Sequence, residues 1–312
     1  MLHSRRDFLV HSAAAAGLLA LRPEGLLAAA TEGKPADMSI ARWTGPAPPA
    51  EAEFASAAVK LTEQAIQALG GMQRFVSRGS VVWIKPNIGW DRKPEQAANT
   101  NPDVVATLVR LCFEAGAKTV KVGDNPCDKA PNTYEASGIA AAAKKLGAKV
   151  VFLDESRFKE AAIKGEHVKS IPVYPEILDC DLVINVPIVK HHVLANATLC
   201  MKNYMGVIQK RNVFHQSLPT SIADLTKFMQ PKLCVLDATR ILKAHGPKGG
   251  KLEDVETKLM LAAGVDIVAL DAWGAEVMGK QPAEIGSIVK GQEYGLGKID
   301  YRSLALRELA VS

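Results

Sequence analysis

The feature that most constrains this chain is an alternation. Short aliphatic, β-branched runs at residues 81–84, 119–122, 150–153, 182–186, 233–236 and 267–270 read as strands. Segments with apolar residues at helical spacing lie between or beside them, at 51–69, 102–115, 133–146, 221–229 and 253–263. Gly70, Gly116 and Gly147 stand where the first three of these helices end, and Pro102 opens the second. A strand that returns to the same sheet through a helix makes a right-handed crossover, so the pattern predicts an α/β fold. The expected sheet is mostly parallel with helices on both faces, a three-layer Rossmann- or flavodoxin-like architecture. It would occupy residues 51–312 as a single domain.

The first thirty residues read as an address. Ser4-Arg5-Arg6-Asp7-Phe8-Leu9 matches a twin-arginine export signal, residues 13–21 are apolar, and Ala28-Ala29-Ala30 offers a cleavage site. The apolar run is too short for a stable membrane span. The expected partner is therefore the twin-arginine export machinery, and the expected location is periplasmic or extracytoplasmic. That route carries folded proteins, which favours a bound cofactor of unknown identity. Residues 31–50, rich in Pro and Ala, read as a linker or an extended arm.

Composition narrows the partners. Net charge is only +5, aromatic residues make up 5%, and the basic residues are spread along the chain, so no nucleic-acid partner is expected. None of the five cysteines forms a C-x-x-C pair, which argues against an iron–sulfur cluster or a zinc ribbon. The glycine-rich segment at 245–251 fails the phosphate-loop pattern, no G-x-G-x-x-G follows the first strand, and no G-x-S-x-G elbow is present.

In parallel α/β sheets ligands collect beyond the carboxyl ends of the strands. Lys85-Pro86-Asn87 follows the first strand, Gly123-Asp124 the second, and Lys190-His191-His192 the fourth. Met201-Lys202-Asn203 comes next, and Asp237, Asp271 and the segment from His245 through Gly246 and Lys248 follow the later strands. Ammonium and amide groups at strand ends suit a small anionic ligand, which assigns Lys85, Asn87, Lys190, Asn203, Gly246 and Lys248 to binding. His192, Asp124 and Lys202 are the candidate catalytic groups, with Asp124 orienting His192. A divalent metal is one candidate cofactor, held by His192, His245 and Asp124, with Asp237 as a further candidate ligand. Adjacent side chains diverge, so only one histidine of the pair should enter the site.

These segments also carry a likeness. Lys85-Pro86-Asn87, Thr100-Asn101-Pro102, Val122-Gly123-Asp124, Asn185-Val186-Pro187 with Lys190 and His192, Met201-Lys202-Asn203 with Gly206, and Gly246-Pro247 occur in order. In this the chain resembles the bacterial domain of unknown function 362 family over about residues 80–300. The resemblance supports an α/β domain and singles out Lys85, Asn87, Asp124, Lys190, His192, Lys202 and Asn203, but implies no substrate. Some relatives resemble iron–sulfur proteins through an attached cysteine-rich segment, which this chain lacks. Two functions fit: an exported enzyme acting on a small anionic substrate with a metal or other cofactor, or a non-catalytic cofactor- or anion-binding redox accessory protein.

Overall fold

Strand and helix propensities are realised around one mixed sheet. The computed structural model describes residues 34–48 and 50–312. The expected export signal lies outside the described residues. The strands are β1 (Met38–Trp43), β2 (Val81–Pro86), β3 (Thr119–Val122), β4 (Lys149–Val150), β5 (Lys159–Ala162), β6 (Ser170–Val173), β7 (Leu182–Val186), β8 (Ile188–His192), β9 (Asn196–Thr198), β10 (Leu233–Leu242), β11 (Val255–Gly264) and β12 (Leu306–Val311). The α-helices are α1 (Glu51–Ala68), α2 (Pro102–Glu114), α3 (Ala130–Ala136), α4 (Ile139–Lys145), α5 (Pro175–Leu178), α6 (Cys200–Asn203), α7 (Leu218–Met229), α8 (Ile267–Val277) and α9 (Gly286–Glu293). Among the described residues the sheet order is β12-β1-β11-β10-β7-β2-β3-β4, with β8 and β9 attached beside β10. β11 alone runs against the rest of that path, so the sheet is mostly parallel. The expected α/β class is observed.

Side chains alternate along each strand and feed two cores. In β2, Val82 and Ile84 pack toward α1, α2 and α4, while Trp83 packs on the opposite face toward the layer containing α6, α7 and α8. Helices therefore cover both faces of the sheet. The α2 helix starts where the sequence signals it: the Asn101 side chain accepts the Asp103 and Val104 amides, and Pro102 takes the first helical position.

Several elements depart from the expectation. Residues 253–263 are rich in strong helix formers, yet from Val255 onward they belong to β11, which is paired with β10 on one side and β1 on the other. Two ladders of backbone hydrogen bonds override local propensity there. Residues 267–270 form the first turn of α8 rather than a strand, because the Asp266 carboxylate caps it by accepting the Ala269 amide at 2.9 Å. The helix expected at 133–146 is two helices, broken at Gly138, whose φ of 71° lies outside the right-handed helical region. Within the segment read as a linker or arm, residues 38–43 form β1, and Met38 and Ile40 are fully buried.

Because Ile40 packs in the core and not in a linker, Ile40→Ala should cost about 2–5 kcal/mol. Urea denaturation checks this; a change under about 0.5 kcal/mol would fit a surface position instead.

Candidate functional site

The site is built on the parallel strands. β2 and β3 end side by side, and the chain leaving them supplies Asn87, Gly89 and Trp90, then Asp124, Asn125 and Cys127. The β8–β9 hairpin sets Lys190 directly opposite Thr198, with His192 two residues further on the same face. The short helix α6 and the turn after it bring Lys202, Asn203, Met205 and Gly206. Arg211 and Pro247 complete the wall of a cleft with a free volume of about 80 Å³. That is room for one compact ligand.

Beneath this cleft lies a buried ion pair. The Lys85 ammonium donates to Asp124 Oδ1 at 2.7 Å and to the Pro86 carbonyl at 3.0 Å. Asp124 also accepts the amides of Ile88 and Asn125. Burial pushes the Lys85 pKa down and the Asp124 pKa up, and each partner pulls the other back toward its charged form. Gly206 covers the pair: a Cβ there would sit 1.8 Å from Asp124 Oδ1. Only glycine permits that approach.

An amide chain forms the floor. Asn203 donates to Asn185 Oδ1 at 2.9 Å and accepts from Asn87 Nδ2 at 2.9 Å, and Asn87 Oδ1 accepts the Lys190 ammonium at 2.8 Å. Lys190 is 1% exposed and also donates to the Ala98 carbonyl. Among the described residues no carboxylate pairs with it, and burial lowers its pKa to about 7, with the Lys202 charge adding to the shift. Among the described residues Lys202 has no hydrogen-bond or ion-pair partner. Burial brings it to about 8, the charges of Arg211 and Lys85 pushing the same way. The Thr198 hydroxyl, in a residue 3% exposed, also has no partner.

His192 Nδ1 accepts the amides of Leu194 and Ala195 at 3.1 and 3.3 Å. Its lone pair is thus occupied, and the neutral ring carries its proton on Nε2. Burial, reinforced by Lys202 and Lys190, holds its pKa near 3. His191 points away and accepts the Gly246 amide, so one histidine of the pair enters the cleft.

Asn87, Asp124, Lys190, His192, Lys202 and Asn203 are thus brought together. Other expectations fail. Asp124 is bound to Lys85 and does not orient His192. Lys85 does not line the cleft, and its charge is already balanced. A ring that accepts at Nδ1 has no lone pair at Nε2, whereas metal-ligating histidines donate from their second nitrogen. His245 pairs with Asp254 at 2.8 Å, away from the cleft, and Lys248 pairs with Asp128. Among the described residues no His, Cys, Asp and Glu cluster is arranged to hold a metal, so the set His192, His245 and Asp124 is not a ligand group. Gly246 packs against His191 instead of lining the cleft. Asp237 is fully buried and accepts the amides of Asn101 and Thr239. Asp271, on α8, caps α6 by accepting the amides of Cys200 and Met201.

A family model described as Domain of unknown function (DUF362) matches residues 82–276. The chain belongs to the DUF362 family. Every cleft-lining residue falls inside the DUF362 match. The chain is 28% identical over 241 residues to the thylakoid-associated protein sll1697 of Synechocystis sp., covering 74% of this chain and 73% of that one. Among solved structures it is similar to the lactate racemase apoprotein from Thermoanaerobacterium thermosaccharolyticum, with a TM-score of 0.48 and 11% identity. That overlap covers 70% of this chain and 54% of the other, so this chain spans about half of its length.

The residues missed from sequence are Thr198, Arg211, Cys127, Gly89 and Trp90. Cys127 and Trp90 lie only three residues beyond Asp124 and Asn87, so a longer reading past each strand end would have reached them. Thr198 enters through hairpin register and Arg211 through a turn, and neither leaves a local signal.

Breaking the buried pair should be costly: Lys85→Met should destabilise the fold by about 3–5 kcal/mol. The double variant Lys85→Met/Asp124→Asn should lose less than the single variant, as measured by chemical denaturation. Equal stability of Lys85→Met and wild type would show that the pair is not structural.

Proposed function

We propose that the chain binds one small organic anion in the cleft and exchanges a proton with it. The observation that carries this reading is the Lys202 ammonium, which lines the cleft with no ion-pair partner among the described residues, beside the buried Lys190 amine. An unpaired cation shielded from water gains strongly from an anion. Thr198 and the His192 Nε2–H supply neutral donors for the same ligand, and Arg211 adds a charge at the wall. Lys190 makes the proton transfer. As a neutral amine it satisfies both hydrogens on Asn87 and Ala98 and keeps a lone pair for a proton. His192 is a fixed donor in this account and not a base.

The charge on the two lysines sets the pH dependence. Their pKa values are depressed, so both are protonated below about pH 7 and lose charge as pH rises through 7 and then 8. Affinity for acetate, malonate or inorganic phosphate, measured by calorimetry, should therefore be highest below pH 7 and fall through this window. Binding should be accompanied by proton uptake between pH 7 and 8. Lys202→Met should weaken binding by about tenfold or more. Affinity that is flat from pH 6 to 9, or unchanged in Lys202→Met, contradicts the reading. Binding of a substrate-like anion without any turnover would favour the accessory-protein role over the enzyme.

The Arg5-Arg6 pattern supports export of this chain by the twin-arginine route to an extracytoplasmic compartment. No helix among the described residues is long and apolar enough to cross a membrane. In cell fractionation, the variant Arg5→Lys/Arg6→Lys should stay in the cytoplasm while the wild type is found outside it. Equal export of both would remove the twin-arginine assignment.

A further inference from the structure

Cys127 stands in this cleft with no role in the reading above. It is exposed, it follows β3 by a few residues, and its amide donates to the Gly89 carbonyl at 2.9 Å. Its position is therefore set by the same loop that carries Asn87. One guanidinium nitrogen of Arg211 lies 3.3 Å from Sγ. Arg211 is itself held by the carbonyls of Met205 and Asn125, so this cation is fixed beside the sulfur. The Thr198 hydroxyl lines the same cleft, in a residue more than nine-tenths buried, and has no partner among the described residues, which marks the cleft as built for a ligand.

A thiolate attacking an anionic electrophile brings two negative charges together. In an ordinary environment that repulsion slows the reaction, and the cations of Arg211 and Lys202 in the same cleft offset it. We propose that Cys127 is a thiol–disulfide exchange site selective for disulfides of small carboxylate-bearing thiols, a selectivity that rests on the anion-binding reading of the cleft. Cys127 loses its proton to solvent and its Sγ attacks one sulfur of the disulfide. A bond forms between the two sulfurs, the original sulfur–sulfur bond breaks, and the second sulfur leaves with the electron pair as a thiolate that takes up a proton. Cys127 is oxidised to the mixed disulfide, and half of the disulfide is reduced to free thiol. The carboxylate lies on Lys202 and Arg211 while the exchange occurs.

The other cysteines provide internal controls. Cys112, Cys200 and Cys234 are buried. Cys180 is half-buried near Glu176, Asp179 and Asp181, and burial with those carboxylates pushes its pKa up to about 11. An acidic setting should reject an anionic disulfide.

The test uses the full folded chain, with dithiodiglycolate as the anionic disulfide and cystamine as the cationic one at equal concentration. Peptide mass spectrometry reads the rate of mixed-disulfide formation at each cysteine. The expected result is that Cys127 reacts about tenfold or more faster with dithiodiglycolate than with cystamine. Concentrated salt, Lys202→Gln and Arg211→Gln should each lower that ratio. Equal rates, preference for cystamine, or dithiodiglycolate appearing at Cys180 in place of Cys127 would overturn the proposal. Calorimetry with malonate on wild type and Cys127→Ala separates the two claims. Malonate binding by both without disulfide selectivity defeats only the exchange site, whereas no binding by wild type defeats the anion reading as well.

Discussion

The Lys85–Asp124 pair is the constraint around which the site is arranged. A charged pair taken wholly out of water is tolerable only if each remaining donor and acceptor is met, and here the Pro86 carbonyl and the amides of Ile88 and Asn125 meet them. Those contacts tie the ends of β2 and β3 to one another. They also dictate Gly206 above, because no side chain fits between that backbone and the pair. The turn that carries Lys202 and Asn203 is thereby drawn down onto the strand ends, and the cleft opens at its edge.

Once Asp124 is committed to Lys85, the cations remaining in the cleft have no carboxylate of their own among the described residues. Among the described residues Lys190 hydrogen-bonds only neutral oxygens, from Asn87 and Ala98, and Lys202 has no hydrogen-bond or ion-pair partner. Burial then favours their neutral forms, which moves both toward physiological pH. The same cations suppress protonation of His192, whose ring is already fixed by the amides of Leu194 and Ala195. One carboxylate neutralised by Lys85 at the cleft floor thus decides which side chains titrate and which sign of ligand is attracted. The Asp271 carboxylate acts at longer range. It caps α6 and so supports the helix bearing Lys202, while burial holds its own pKa up near 7.

Much of this arrangement is legible in the amino-acid sequence. The strands at Val82, Val120, Ile184 and Val235 announce themselves by apolar, β-branched runs, and polar residues after the first three converge on one edge, whereas Asp237, His245 and Lys248 after the last do not join them. What escaped were decisions made by partners distant in the chain. Residues 255–264 carry helix-forming side chains but are captured between β1 and β10, and residues 38–43 become a strand only because β11 and β12 flank them. Asp124, His192 and His245 look alike as potential ligands in a sequence. Their roles differ because Lys85 and two backbone amides take up the lone pairs of Asp124 and His192, whereas His245 donates from Nδ1 to Asp254 away from the cleft. Residue types at strand ends predict where chemistry collects; the hydrogen bonds each group has already made decide what it is free to do.

The central claim is that Lys190 and Lys202 are amines held near neutrality by burial without a counter-charge. Nuclear magnetic resonance titration of the ligand-free protein labelled at lysine side chains measures this directly. Two resonances should titrate at about pH 7 and about pH 8, disappearing in Lys190→Met and Lys202→Met respectively. If both residues instead titrate near the ordinary lysine value of 10.5, the cleft holds two conventional ammonium groups and the account of its proton chemistry is wrong.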